Sequence, residues 1–184
     1  MSDELNVLKA VTQRLNQASI SYMISGSMAM NYYAQPRMTR DIDIVIVLTP
    51  NDVKRFVSLF EKDFYIDSET VQNEVKRSGM FNLIHNEHIV KVDFMILKDE
   101  EFDRTEFDRR KRIEIDKIPM WMISPEDLIL YKCLWAKDSA SEMQIRDIRN
   151  LMEMVSDLDV EYIRAWIAKL RLGNFFKEVM GEGH

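Results

Sequence analysis

The residues most able to do chemistry in this chain are Asp41-Ile42-Asp43. In an extended strand, residues i and i+2 project from the same face. The two carboxylates therefore stand side by side, with the neighbouring isoleucines on the other face. Adjacent carboxylates raise each other's pKa unless a cation sits between them. Oxygen-only ligation suits Mg²⁺, which takes one or two carboxylates and completes its shell with water and substrate phosphates. The pair thus points to a magnesium site and to phosphate chemistry. A second pair, Asp157-Leu158-Asp159, precedes a helical run and reads as a cap.

Two other segments bear on the first pair. Gly26-Ser27 follows the apolar stretch Ile20–Ser25 and opens a helical run. Backbone N–H groups at a helix start, beside a glycine that permits close approach, bind phosphate well. Ser27 adds a hydroxyl, although the same residues also suit a plain strand-to-helix turn. In Lys91-Val92-Asp93-Phe94-Met95, Asp93 sits mid-strand in an apolar segment, where a carboxylate is costly unless paired or metal-bound. Lys91 shares its face, so one reading is a Lys91–Asp93 ion pair. The other makes Asp93 a third acid. Two acids then hold metal ions, and the third takes a proton from an attacking hydroxyl or binds the second ion.

The order Gly26-Ser27, Arg37, Thr39, Asp41-Ile42-Asp43 and Lys91-Val92-Asp93 resembles the DNA polymerase beta-type nucleotidyltransferase superfamily. It is most similar there to the AbiEii/AbiGii-type nucleotidyltransferase toxins and their uncharacterised relatives. Ser124-Pro125-Glu126-Asp127-Leu128 leading to Lys132, followed by Arg146-Asp147, extends the likeness. The resemblance implies transfer of a nucleoside monophosphate from an NTP to a hydroxyl, releasing pyrophosphate. It implies two Mg²⁺ ions, with Mn²⁺ as a substitute, on Asp41, Asp43 and Asp93 as the catalytic, metal-binding set. Gly26, Ser27, Arg37, Thr39, Lys132 and Asp147 would bind nucleotide. The acceptor would be RNA such as tRNA, a protein or a small molecule such as an antibiotic. Candidate protein partners are a second copy of the chain or a cognate antitoxin, in a toxin–antitoxin or phage-defence setting.

Read without that resemblance, several of these residues have a second reading. Lys132 lies among Leu128, Ile129, Leu130, Leu134 and Trp135, where a snorkelling lysine also fits. Asp147, between Arg146 and Arg149, suits a surface ion network. Arg37 either grips phosphate in a bidentate way or is an exposed turn residue. Arg40 could pair with Asp41 or Asp43. A rival from another class is a catalytically inactive module of the same fold that binds nucleotide or a partner. No Gly-x-x-x-x-Gly-Lys loop supports a P-loop kinase.

The elements that must position these residues follow from periodicity. Helices are expected over Asp3–Ala18, Gly26–Tyr33, from Thr49-Pro50 to Lys62, Ser68–Arg77, Glu100–Arg110, Pro125–Ala136, Ser141–Val155 and Val160–Leu170, with Gly173 breaking the last before a short tail. Strands are expected over Ile20–Ser25, Asp41–Leu48, Met80–His85 and Ile89–Leu97, with Lys111–Met122 extended. That order gives an α/β (α+β) domain, a small mixed sheet flanked by helices, and the resemblance implies that it is the nucleotidyltransferase fold. The expected division is a single domain over 1–184, with a sheet-containing core to residue 122 and a helical part from 123.

Composition narrows the classes. Charged residues are 30% and hydrophobic ones 46% of the 184, which suits a soluble globular chain, and the net charge of −6 gives no support to extended duplex binding. Arg104 and Arg109 to Arg112 form either a basic patch or a solvated helix end paired with Glu101, Asp103 and Asp108. No apolar run reaches the roughly 18 residues of a membrane span, and the N-terminus lacks an apolar signal region. With a single cysteine, Cys133, in an apolar run, the expectation is a cytoplasmic protein with no membrane partner. His85 and His88 read as a solvated turn rather than a zinc site. Trp121, Trp135 and Trp166 read as core.

Overall fold

Seven strands hydrogen-bond into one mixed sheet in a computed structural model that describes residues 2–139 and 141–181. In chain order the strands are β1 (Tyr22–Ile24), β2 (Asp41–Ile46), β3 (Phe64–Tyr65), β4 (Met80–His85), β5 (Lys91–Ile96), β6 (Lys111–Ile115) and β7 (Ile118–Met122). The spatial order is β3-β4-β5-β2-β1-β7-β6. β2 runs parallel to β5, and β1 parallel to β7. The remaining pairings are antiparallel. The helices are α1 (Asp3–Gln17), α2 (Gly26–Tyr33), α3 (Val53–Phe60), α4 (Ser68–Lys76), α5 (Glu101–Asp108), α6 (Pro125–Ser139), α7 (Glu142–Met154), α8 (Val160–Lys169) and α9 (Gly173–Met180). The mixed α/β class expected from the sequence is the one observed. No helix among the described residues is long and apolar enough to cross a membrane.

The chain divides into two compact units. One holds the chain to Met28 together with Met38–Ile123, and the other holds Ala29–Arg37 together with the chain from Ser124. In the sheet unit, period-two alternation sends Ile42, Ile44 and Ile46 of β2 and Val92, Phe94 and Ile96 of β5 to one buried face. Phe56 and Phe60 of α3 pack there against Phe81 and Phe94, in edge-on, tilted and stacked pairs with ring centroids 5.0–6.3 Å apart. Asp41 and Asp43, with Lys91 and Asp93 beside them, therefore take the opposite face.

In the helical unit, Leu128, Leu130, Cys133, Ile148, Leu151, Ile163 and Leu172 form the buried apolar set. Burial pushes the Cys133 thiol up to about 12, so it is inert at neutral pH. The start of α6 is fixed by Ser124, whose hydroxyl accepts from the Asp127 amide (3.1 Å) and donates to its carboxylate (2.6 Å). The Tyr162 hydroxyl donates to the other Asp127 oxygen at 2.5 Å, and Glu126 accepts from the Asp159 amide at 3.2 Å. Asp159 itself caps α8, the role its spacing suggests.

Some elements differ from expectation. Lys111–Met122 is a hairpin, not one extended run: Asp116 and Lys117 turn the chain with φ of 48° and 65°. Asp suits the first position of such a primed turn, lysine is unusual at the second, and the Lys9–Asp116 ion pair holds the tip. Gly173 does not begin a tail but opens α9. β3 is only two residues long and carries no readable alternation. Asp67 caps α4, which starts at Ser68 as expected, and its side chain accepts from the Thr70 amide. Trp135 is 56% exposed and is not core, whereas Trp166 is buried. His85 is buried against the Phe64 ring instead of solvated, with His88 stacked on it.

Candidate active site

Parallel pairing of β2 with β5 sets Asp41 opposite Lys91 and Asp43 opposite Asp93. Partners in a parallel register point to the same side, so the four charged side chains share one face. Asp93 is 8% exposed, Asp43 half-buried and Asp41 exposed. Lys91 is the cation among them: its Nζ lies 2.8 Å from Asp93 Oδ2 and 3.8 Å from Asp41 Oδ1. The hydrogen bond to Asp93 holds the ammonium above its ordinary pKa, and the charges of Asp93, Asp41 and Asp43 add to this against partial burial. Arg40, by contrast, makes no ion pair among the described residues.

Gly26 closes the other side of Asp43. The Ser25 amide donates to the Asp43 carbonyl at 2.9 Å, which brings the β1–α2 turn against β2. Gly26 has φ of +57°, and a Cβ there would lie 1.9 Å from Asp43 Oδ2. Only glycine meets both demands. Ser27 is half-buried in the first turn of α2. Thr39 donates its hydroxyl to the Asp41 carbonyl at 3.2 Å, which steadies the entry to β2.

The helical unit holds the remaining candidates. The Lys132 Nζ donates to Asp147 Oδ2 at 2.8 Å and to Gln144 Oε1 at 2.9 Å. Lys132 and Asp147 are 3% and 1% exposed. A snorkelling lysine would carry its ammonium to water, so that reading is corrected to a buried ion pair between α6 and α7. The surface network expected for Asp147 is likewise replaced by this buried pair. Arg37 Nη2 lies 3.4 Å from the same Asp147 oxygen. The amide of Asn31 brackets the Arg37 backbone, accepting from its N–H at 2.9 Å and donating to its carbonyl at 2.8 Å. Gln35, Pro36, Arg37, Arg146, Asp147 and Asn150 line a pocket of about 240 Å³.

A family model described as "Nucleotidyl transferase of unknown function (DUF2204)" matches residues 4–171. The chain belongs to this nucleotidyl transferase family. Comparison with curated proteins gives no match. Solved structures of the same fold include an antigenic nucleotidyltransferase-like protein from Paracoccidioides brasiliensis, 20% identical over 96% of this chain and 91% of that one, with a TM-score of 0.60. The antibiotic-resistance factor ANT(2'')-Ia is 15% identical over 97% and 96%, with a TM-score of 0.60. The lincosamide antibiotic adenylyltransferase LnuA, solved with lincomycin, is 13% identical over 84% and 98%, with a TM-score of 0.56.

In this nucleotidyl transferase, the donor chemistry of Asp41, Asp43 and Asp93 suits a hard divalent ion. Among the described residues, however, no group of three or more His, Cys, Asp and Glu side chains is arranged to hold one. The Lys91 ammonium instead pairs with two of the three acids, Asp41 and Asp93. The sequence offered Lys91 only as an ion-pair partner of Asp93, and its contact with Asp41 depends on the β2–β5 register. Asn31, Gln144 and Asn150 were not legible as site residues. Each is a single polar residue at an ordinary helical position, with no spacing signal.

Proposed function

We propose that this protein transfers a nucleoside monophosphate from an NTP to a hydroxyl acceptor. The observation that carries this reading is the in-register pair Asp43 and Asp93, with Asp41 beside them and Gly26 admitting the Asp43 carboxylate. The acceptor oxygen attacks the α-phosphorus, the bond to the β-phosphate bridging oxygen breaks, and pyrophosphate leaves. Divalent ions, Mg²⁺ or Mn²⁺, would spread the triphosphate charge and hold the attacking and leaving oxygens in line. Asp41 and Asp43 would hold the ions, and Asp93 would be a further ligand or take the acceptor's proton. Gly26 and Ser27 hold the β- and γ-phosphates with backbone and hydroxyl donors, and Thr39 fixes the approach of β2.

Arg37, Lys132 and Asp147 are assigned to the nucleotide on the family resemblance. Their burial and pairing support Arg37 as the group facing phosphate, with Asp147 and Lys132 bracing it. The antibiotic adenylyltransferase neighbours favour a small hydroxylated acceptor. The AbiEii-type resemblance favours tRNA or protein, and with it a toxin or phage-defence role in the cytoplasm. A homodimer or a cognate antitoxin would be the protein partner.

The test incubates the full chain with each α-labelled NTP, Mg²⁺ and panels of small-molecule, RNA and protein acceptors. Label transfer that disappears in Asp43→Asn and Asp93→Asn supports the reading; transfer that survives both overturns it. One observation favours a second reading, an inactive nucleotide- or partner-binding module: Lys91 already neutralises the acids. Nucleotide binding without label transfer to any acceptor would favour that module.

A further inference from the structure

The cation lodged among the site acids belongs to the protein, and its placement has a consequence for the metal. Lys91 Nζ contacts Asp93 at 2.8 Å and stands 3.8 Å from Asp41, while Asp43 is the cross-strand neighbour of Asp93. A divalent ion ligated by these carboxylates would have to lie within a few ångströms of that ammonium. The ammonium already takes up the Asp93 oxygen that the ion would need as a ligand, so the two compete for it. The Lys91 side chain is 40% exposed, on a flexible four-carbon stem, so it can swing to solvent without opening the core. Asp93, whose side chain is 11% exposed, cannot leave in the same way and needs a cationic partner in either state.

We propose that Lys91 is an exchangeable counter-ion. It neutralises Asp41 and Asp93 in the metal-free protein and must be displaced before a divalent ion binds. Lys91 therefore acts through the acids as a positioning residue. It lowers the affinity for bare metal ions and keeps the strand pair stable without them. Displacement is easiest when the incoming ion brings further negative charge, because nucleotide phosphates both complete the metal shell and offer the released ammonium a new partner. The site consequently favours metal arriving together with nucleoside triphosphate over metal alone. This inference rests on the assignment of Asp41, Asp43 and Asp93 as metal ligands.

The test compares the full chain with Lys91→Met, which keeps the stem and removes the charge, and with Lys91→Arg, which keeps the charge. Lys91→Gln serves if the methionine variant folds poorly. Each is titrated with MnCl₂ by calorimetry without nucleotide, and each is melted in the presence of chelator. Removing the ammonium should tighten Mn²⁺ binding about fivefold, the scale set by the upper end of what an exposed ion pair contributes. The same change should lower the metal-free Tm, while Lys91→Arg should stay close to the parent in both. A merely structural lysine would lower Tm without tightening Mn²⁺ binding. Equal Mn²⁺ affinity in parent and Lys91→Met, or weaker binding in the variant, overturns the inference and leaves the metal assignment standing. Absence of Mn²⁺ binding in both overturns the metal assignment and this inference with it.

Discussion

Replacing Gly26 by alanine separates the cost of backbone strain from the cost of moving Asp43. Gly26 has φ of +57°, a conformation that costs an L-residue about 1–2 kcal/mol. For a chain of this size that lowers Tm by about 2–8 °C. The added Cβ would also lie 1.9 Å from Asp43 Oδ2, where ordinary contact begins at 3.4 Å, so the carboxylate must retreat by about 1.5 Å. The obstacle extends to Asp43 Cγ and Cβ, at 2.6 and 2.9 Å, so rotating the carboxylate away does not clear it and the turn must also shift against β2, which adds to the stability cost. The displacement bears on catalysis too, where a misplacement of about 1 Å can cost on the order of 10²-fold. Thermal melts and label-transfer rates on Gly26→Ala, Asp43→Ala and the double variant make the comparison. In the Asp43→Ala background, Gly26→Ala should keep its stability cost but lose its effect on rate, since the group it displaces is gone. A Gly26→Ala protein with the parent's Tm and a rate within about threefold of the parent's would refute both halves of the argument.

Three other substitutions test the buried and half-buried pairs. Asp147→Ala removes the nearest carboxylate from a lysine that is 3% exposed, and should cost about 3–5 kcal/mol in chemical denaturation. Lys132→Met should cost less, because Asp147 keeps the Arg37 guanidinium at 3.4 Å; equal costs would contradict the geometry. Arg14 grips Asp63 with both nitrogens, at 2.7 and 2.5 Å, and its hydrogen bonds hold the Asp63 carboxyl below its ordinary pKa. A depressed carboxylate contributes stability above its unfolded pKa of about 3.9 and loses it as the pH falls through the lower folded value. The stability gap between the parent and Asp63→Asn should therefore close as the pH falls below about 4, after any rise from His85, 4.0 Å away, as that imidazole protonates. A gap that stayed open well below about pH 4 would contradict the sign.

The sequence revealed more of the local pattern than of the pairings between distant segments. Ile42, Ile44 and Ile46 alternate with Asp41, Asp43 and Val45, and this alone placed β2 and its acidic face. Ser124-Pro125-Glu126-Asp127 announced α6 because capping chemistry is local. The β6–β7 turn was hidden because Asp116 and Lys117 adopt positive φ without glycine, under the constraint of a contact to Lys9 far away in the chain. Lys132 was ambiguous for the same reason. A lysine in an apolar helix reads as snorkelling until the helix carrying Asp147 and Gln144 is folded against it. The site shows this limit most sharply. Period two puts Lys91 and Asp93 on one face, and Asp41 and Asp43 on another, but not that these are the same face. That follows only from parallel pairing of β2 with β5 in the register Asp43↔Asp93, which also sets Lys91 opposite Asp41. One residue of slip would send one strand's charges to the Phe94 side, where the aromatic cluster leaves no room for them. The hydrophobic core thus selects the register, the register assembles the acids, and it brings Lys91 with them, so the packing that builds the acidic face also supplies its counter-ion.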